Sequence, residues 1–344
     1  MMKTTAFEKF APAILQVYNR DKEAFWQAVM VPYLSKNKLS SMIKYRKTGS
    51  ELIEAFSGLD ENAQQILRDF STRLGFDITT WKSYQKKAEY FKDAYPIFSF
   101  LVIWMHEEKM NNLLERFSDI LRAAVYGIAG YGIMDVNMDE KVSSPVEVLV
   151  SQALIAEYEY QMLDVFGICP TNVKILHRIR SLFLNAEIRE KSVRSKDSPY
   201  SFEKPEECGY KAAHLLTPFM LSLESKGKAD LMEDYLEVFF LFGAVIQIID
   251  DWKDLEEDLS VGHYSYVSLG YERLWQTKKP GELAGLIHND KTHVREVYDQ
   301  CKHLIVKSQS ILSKLHDFYL SRIVDVVDLR LDSFFRKELR MPDD

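Results

Sequence analysis

Cysteine is scarce in this chain: Cys169, Cys208 and Cys301 are the only ones in 344 residues. They lie far apart and form no metal-spaced pair. That excludes a disulfide framework and a cysteine-based metal finger, and it fits buried thiols in a reducing compartment. Glycine (14) and proline (10) are also few for this length, and runs alternating apolar with polar residues are rare. Periods of three and four residues dominate instead, which argues for a nearly all-helical chain. No uncharged apolar stretch reaches about 18 residues, so neither a transmembrane helix nor stable membrane insertion is expected. The opening MMKTTAFEKFAPAILQVYNRDKEAF lacks a long apolar run and a small-residue cleavage site, so no signal peptide is expected. Basic excess is missing as well. The net charge of -7 disfavours non-specific nucleic-acid binding. Together these absences predict a cytoplasmic protein, one that a lipidic substrate could still bring to a membrane surface.

Hydrophobic residues make up 47% of the chain and charged residues 28%, enough apolar material for a large core. The periodicity predicts helices at about 4–30, 50–73, 77–90, 92–109, 112–138, 145–166 and 170–190. It predicts further ones at about 207–225, 229–259, 270–289, 291–318 and 320–338. Asn185 to Pro205 is the longest polar interruption and reads as a loop. No repeat or low-complexity linker appears. The expectation is one all-α domain over residues 1–344, a helical bundle around a central cavity. An ordinary bundle with a filled core is the plainer alternative.

The most informative stretch is LFGAVIQIIDDWKDLEEDLSVGHYSY, residues 241–266. It begins apolar and ends acidic. Asp250, Asp254 and Asp258 recur every four residues, so on a helix they point within about 80° of one another. Asp251, Glu256 and Glu257 surround them. A carboxylate row directly following a buried apolar segment is costly unless cations neutralise it. Mg²⁺ takes oxygen ligands, usually one or two carboxylates with waters and substrate phosphates. On spacing alone the same row could be a solvated acidic face.

The whole string resembles the second metal motif of the class I isoprenoid synthases, the superfamily of trans-prenyltransferases, squalene and phytoene synthases and class I terpene cyclases. Gly243, Gln247, Asp250, Asp251 and Asp254 match the prenyltransferase pattern G-x-x-x-Q-x-x-D-D-x-x-D. Gln247, Asp254, Glu257, Asp258 and Gly262 match the squalene/phytoene pattern Q-x6-D-x2-E-D-x3-G. Asp250, Asp254 and Asp258 take the cyclase spacing. The resemblance covers about residues 110–270 and does not by itself choose a branch.

Other segments are read beside it. The helix SDILRAAVYGIAGYGIMDVNMDEK carries Gly127, Gly130 and Gly132, each costing about 1 kcal/mol against alanine. Close helix packing or a cavity wall should offset that cost. Asp135 and Asp139 follow, one turn apart. They are similar to the first aspartate-rich motif in the form D-x-x-x-D, with Val136 and Asn137 where more acid is often found. Lys211 in ECGYKAAHLL is similar to the lysine that holds diphosphate in prenyltransferases. A point-charge donor suits phosphate oxygens; a structural lysine is the alternative. Thr217-Pro218 should kink or break its helix. Arg189, Lys191 and Arg194 precede the polar loop and could cap a diphosphate, though surface charge is their commoner use. His263 and Tyr264 stand where squalene/phytoene synthases carry R-x-Y. The basic run from Lys36 to Lys47 reads as a solvated face more readily than as a phosphate site.

The resemblance implies a class I terpene synthase. A cluster of up to three Mg²⁺ ions would be held by Asp135, Asp139, Asp250, Asp254 and Asp258. Lys211, Arg194, Gln247, His263 and Tyr264 would meet the diphosphate of a linear prenyl diphosphate. Its ionisation would precede cyclisation and release of diphosphate. Chain elongation and squalene/phytoene-type head-to-head condensation stay open as alternatives. So does a non-catalytic helical partner that regulates a synthase. A homodimer is compatible with each.

Overall fold

The computed structural model describes residues 5–29, 46–78, 94–139, 144–193, 205–262, 265–275 and 277–339. Every regular element among the described residues is helical, so the all-α expectation holds. The chain packs into two compact units. One comprises residues 1–179 and 214–229, the other residues 180–213 and 230–344.

In the first unit, α1 (Ala6–Arg20) starts at Thr5, whose hydroxyl accepts the Glu8 amide while Glu8 reaches back to the Thr5 amide. That reciprocal cap satisfies two end donors. The expected helix over 4–30 is broken at Asp21, which ends α1; α2 (Lys22–Val29) follows. α3 (Arg46–Phe56) and α4 (Leu59–Leu74) come next, and α4 lies between Gly58 and Gly75, both left-handed. α5 (Tyr95–Glu107) is buried continuously from Phe98 to Met105, as an apolar-all-round helix must be. α6 (Asn111–Glu115) is short. α7 (Phe117–Asp139) then packs lengthwise on α8 (Pro145–Phe166). α8 has its predicted bounds. Ser144 accepts the Glu147 amide, Pro145 opens the first turn, and Gly167 closes the last at φ +94.

α9 (Pro170–Val193) runs past the expected boundary. Residues 185–193 are helical, not the loop their polarity suggested. The inward positions explain this: Phe183, Ala186 and Glu187 are buried. A 3₁₀ segment (Pro205–Leu216) then leads into α10 (Thr217–Ser225). The break expected at Thr217-Pro218 is therefore real, with Pro218 in the opening turn of a new helix, where its missing N–H costs nothing.

The second unit is built on α11 (Met232–Val261), which packs on α13 (Pro280–Asn289), α14 (Lys291–Leu315) and α15 (Phe318–Leu339). α12 (Glu272–Trp275) is one turn long. Asp290 caps α14 by accepting the Thr292 and His293 amides. Asp317 is buried and does two tasks. One oxygen accepts the Leu320 amide at 2.8 Å and the other the Tyr235 hydroxyl at 2.8 Å. No described helix is long and apolar enough to cross a membrane.

Candidate functional site

α11 is apolar all round in its first half, where Tyr235, Leu236 and Val238 to Phe242 are buried. Glu233 and Asp234 in the first turn favour the positive end of the helix dipole. From Gln247 onward the helix divides into two faces. Ile248, Ile249, Trp252, Leu255 and Leu259 stay buried. Trp252 anchors that face: its ring lies 5.2 Å from His288 and 5.3 Å from Phe335, centroid to centroid. At 100° per residue, Asp250 and Asp254 lie about 160° from Trp252, on the opposite side. Gly262 ends the helix at φ +85, its amide bonding to the Asp258 and Leu259 carbonyls.

Two cations stand against the acidic face within the unit. Lys253 Nζ lies 2.6 Å from Asp250 Oδ1, and Arg330 of α15 comes within 3.8 Å of the same oxygen. Gln247 donates to Asp251 Oδ1 at 2.8 Å. Asp254 is exposed by area, yet its carboxyl is held above the usual carboxylate range. Loss of part of its water shell is the first cause; the negative charges of Asp250 and then Glu257 add to it, and Lys253 opposes them. Asp258 is half-buried on the same face.

Gln247 and Asp250 lie one and two turns beyond a close backbone crossing. A Cβ added to Gly209 would stand 2.4 Å from the Phe240 carbonyl oxygen and 3.0 Å from the Ala244 nitrogen. The 3₁₀ segment therefore lies directly on the α11 backbone, which only glycine permits. Gly243 faces the same crossing. Two residues on, Lys211 Nζ lies 3.6 Å from Glu187 Oε1, and the Glu187 side chain is only 1% exposed. Lys211 thus serves a buried carboxylate in this structure.

The first acidic pair sits at the end of α7. Asp135 is half-buried, and Asp139 is the last residue of the helix. Val136 and Asn137, where the resemblance expects acid, are buried. Asn137 has a different task. Its amide nitrogen donates to the Ile133 carbonyl and to Glu147 Oε2, both at 2.9 Å, and its oxygen accepts the Ser144 amide at 2.9 Å. It clips the start of α8 onto the end of α7, where a carboxylate would repel Glu147. Two of the three glycines upstream, Gly127 and Gly130, are explained by packing. A Cβ on Gly127 would come within 2.9 Å of the Tyr158 ring, and one on Gly130 within 2.9 Å of Ile155. Gly127 also lines a small cavity with Phe98, Ile128, Tyr158 and His214, roughly the size of one water. Tyr158 donates to the His214 carbonyl at 2.7 Å, and complete burial pushes its hydroxyl well above its ordinary value.

Asp250, Asp254, Asp258, Gln247 and Lys211 thus share the second unit, and Asp135 and Asp139 belong to the first. Arg194, His263 and Tyr264 lie outside the described residues, as does most of the basic run from Lys36 to Lys47. Among the described residues, no group of three or more His, Cys, Asp or Glu side chains is arranged to hold a metal ion by itself. Sequence reasoning missed Arg330, Glu187 and the clip role of Asn137. Only Asn137 had a local signal, a buried-face position seven residues before a helix cap. Comparison of this chain with protein-family models, with curated proteins and with solved structures gave no match.

Proposed function

We propose that the protein is a class I terpene synthase acting on one linear prenyl diphosphate in the cytoplasm. The observation that supports this most is the carboxylate row of α11, turned away from the Trp252 core and crowded enough to raise Asp254. Oxygen-only donors one turn apart suit Mg²⁺, which takes one or two carboxylates and completes its shell with waters and substrate phosphates. A row that does not close into a cage by itself fits an ion shared with a diphosphate. Asp250, Asp254 and Asp258 would hold Mg²⁺, with Asp135 and Asp139 as the second set. When bound, the ions supply neutralisation of the diphosphate leaving group.

The chain's own residues do the rest. Lys253 and Arg330 temper the acidic row around Asp250. Gln247 and Lys211 reach a diphosphate only by exchanging their present partners, Asp251 and Glu187. Arg194, His263 and Tyr264, which lie outside the described residues, would complete the diphosphate-binding set. Apolar walls would exclude water from a cation formed on ionisation, which would cyclise and lose a proton. Head-to-head condensation is the second reading, favoured by the match of Gln247, Asp254, Glu257, Asp258 and Gly262 to the squalene/phytoene spacing along the same helix. A homodimer is compatible with either. The test is Mg²⁺-dependent release of diphosphate by wild type and Asp254→Ala. Loss of turnover without a lowered melting temperature supports the assignment, and retained turnover removes it.

A further inference from the structure

α13 packs on α11 and meets it at both of its ends. In the first turn of α13, a Cβ on Gly281 would stand 2.6 Å from Glu256 Oε1. The glycine lets that carboxylate lie against the positive end of α13. In the last turn, the half-buried His288 sets Nε2 3.2 Å from the Trp252 carbonyl oxygen. Its ring lies 5.2 Å from the Trp252 ring, with 30° between their planes. A phenylalanine would serve that ring contact. The hydrogen bond is what needs a histidine: a carbonyl only accepts, so Nε2 carries the hydrogen.

From this contact we infer that His288 is a positioning residue for the carboxylate row of α11. The inference rests on the reading that Asp250, Asp254 and Asp258 hold Mg²⁺. Inside a helix the Trp252 oxygen already faces the amide of Glu256. His288 approaches the same oxygen from α13 and so fixes the peptide between Trp252 and Lys253. That peptide belongs to the turn running from Asp250 to Asp254. Like charges one turn apart repel, which works to open this turn. A metal site tolerates little such movement, because its ligands must be held within about 0.5 Å of the productive geometry. The His288 bond holds the turn from another helix. His293 supplies the contrast. Its ring also faces Trp252, at 6.4 Å between centroids, but its Nε2 meets the Val267 carbonyl at 2.8 Å, outside α11.

The test is calorimetric titration of inorganic diphosphate into the full chain, with and without excess Mg²⁺, beside thermal melting by circular dichroism. Wild type should bind diphosphate only when Mg²⁺ is present. His288→Phe keeps a ring on Trp252 and loses the donor. It should bind about tenfold more weakly, the low end for a group that orients a metal ligand, with little change in melting. His288→Gln loses the ring but carries an amide nitrogen near the place of Nε2. It should bind as wild type does and melt lower. Affinity then follows the donor while melting follows the ring, whereas a purely structural histidine would give no affinity recovered by glutamine. His293→Phe should leave the affinity unchanged. His288→Phe that binds like wild type overturns the inference. His288→Gln that folds yet binds more weakly than wild type also overturns it, and this variant decides alone if His288→Phe does not fold. A wild type that binds no diphosphate with Mg²⁺ overturns the metal reading itself, and the inference with it.

Discussion

Gly209→Ala is the most direct probe of how α11 is held. The added Cβ would stand 2.4 Å from the Phe240 carbonyl oxygen and 3.0 Å from the Phe240 Cα. Ordinary contact lies about 1 Å further out, and the obstacle is backbone in the middle of a buried helix, so no rotamer change relieves it. The 3₁₀ segment must lift off α11, loosening the contact of Tyr210 on Phe240, now 4.4 Å between ring centroids. Overpacking of this kind costs about 1–3 kcal/mol or more. Alanine recovers about 0.4–1 kcal/mol by restricting the unfolded chain. The net loss is about 2 kcal/mol, equivalent to a fall of roughly 4–8 °C in melting temperature for a unit this size. Gly243→Ala is the control at the same crossing. Its Cβ would meet Gly209 Cα at 3.5 Å, an ordinary contact, and alanine gains helix propensity. Thermal melting by circular dichroism should show Gly209→Ala lowered and Gly243→Ala unchanged or raised. Equal behaviour of the two variants would refute the crossing as the support of this helix.

Other consequences can be measured independently. Because the Asp254 carboxyl is raised, ionising it opposes folding, and its favourable share is lost as pH rises through the folded value. Asp254→Asn should therefore melt slightly higher than wild type near pH 7, with the gain vanishing below the ordinary value of 3.8. Asp290 is depressed, first by the Tyr271 hydroxyl and then by the His293 and Thr292 amides. Its stabilisation is present above 3.8 and is lost as pH falls through the folded value, so Asp290→Ala should cost about 1 kcal/mol at pH 7 and progressively less in acid. Lys211→Ala removes a cation 3.6 Å from the buried Glu187 carboxylate and should lower the melting temperature, whereas Lys211→Met with Glu187→Leu should regain most of the loss. A Lys211→Ala variant that melts normally but resists inhibition by inorganic diphosphate would restore the phosphate role. Asn137→Asp, which restores acid at that position, should lower the melting temperature by setting a carboxylate beside Glu147, and it should not raise activity.

Local grammar made much of the fold legible. Ser144, Pro145 and Gly167 bound α8 at both ends, and each acts through its own backbone chemistry. The apolar half of α11 and its acidic continuation were also readable, because a buried all-round helix and a two-faced helix have different periodicities. Distant partners were not. Residues 185–193 look like loop because Glu187 is polar, and Lys211, which faces its buried carboxylate, lies far along the chain. Arg330 approaches Asp250 from another helix with no spacing signal at all. Asn137 looked like an eroded ligand because a linear pattern cannot tell an inward residue from an outward one. Burial and three hydrogen bonds can.

The central claim is that one allylic diphosphate is enough for the reaction. Elongating enzymes of the resembled superfamily carry R-R-G after the first motif and G-G-K-x-x-R-P upstream. Here Glu140 to Pro145 offer the single cation Lys141, so a second diphosphate lacks the bidentate arginines such recognition favours. The decisive measurement incubates the protein and Mg²⁺ with ten-, fifteen-, twenty- or twenty-five-carbon prenyl diphosphates, each with and without isopentenyl diphosphate, and identifies the products. The expected result is release of inorganic diphosphate and a hydrocarbon or alcohol of unchanged carbon number, with no need for isopentenyl diphosphate. A longer prenyl diphosphate formed only when isopentenyl diphosphate is present would contradict it. So would a doubled head-to-head product, or no diphosphate release from any of the four substrates.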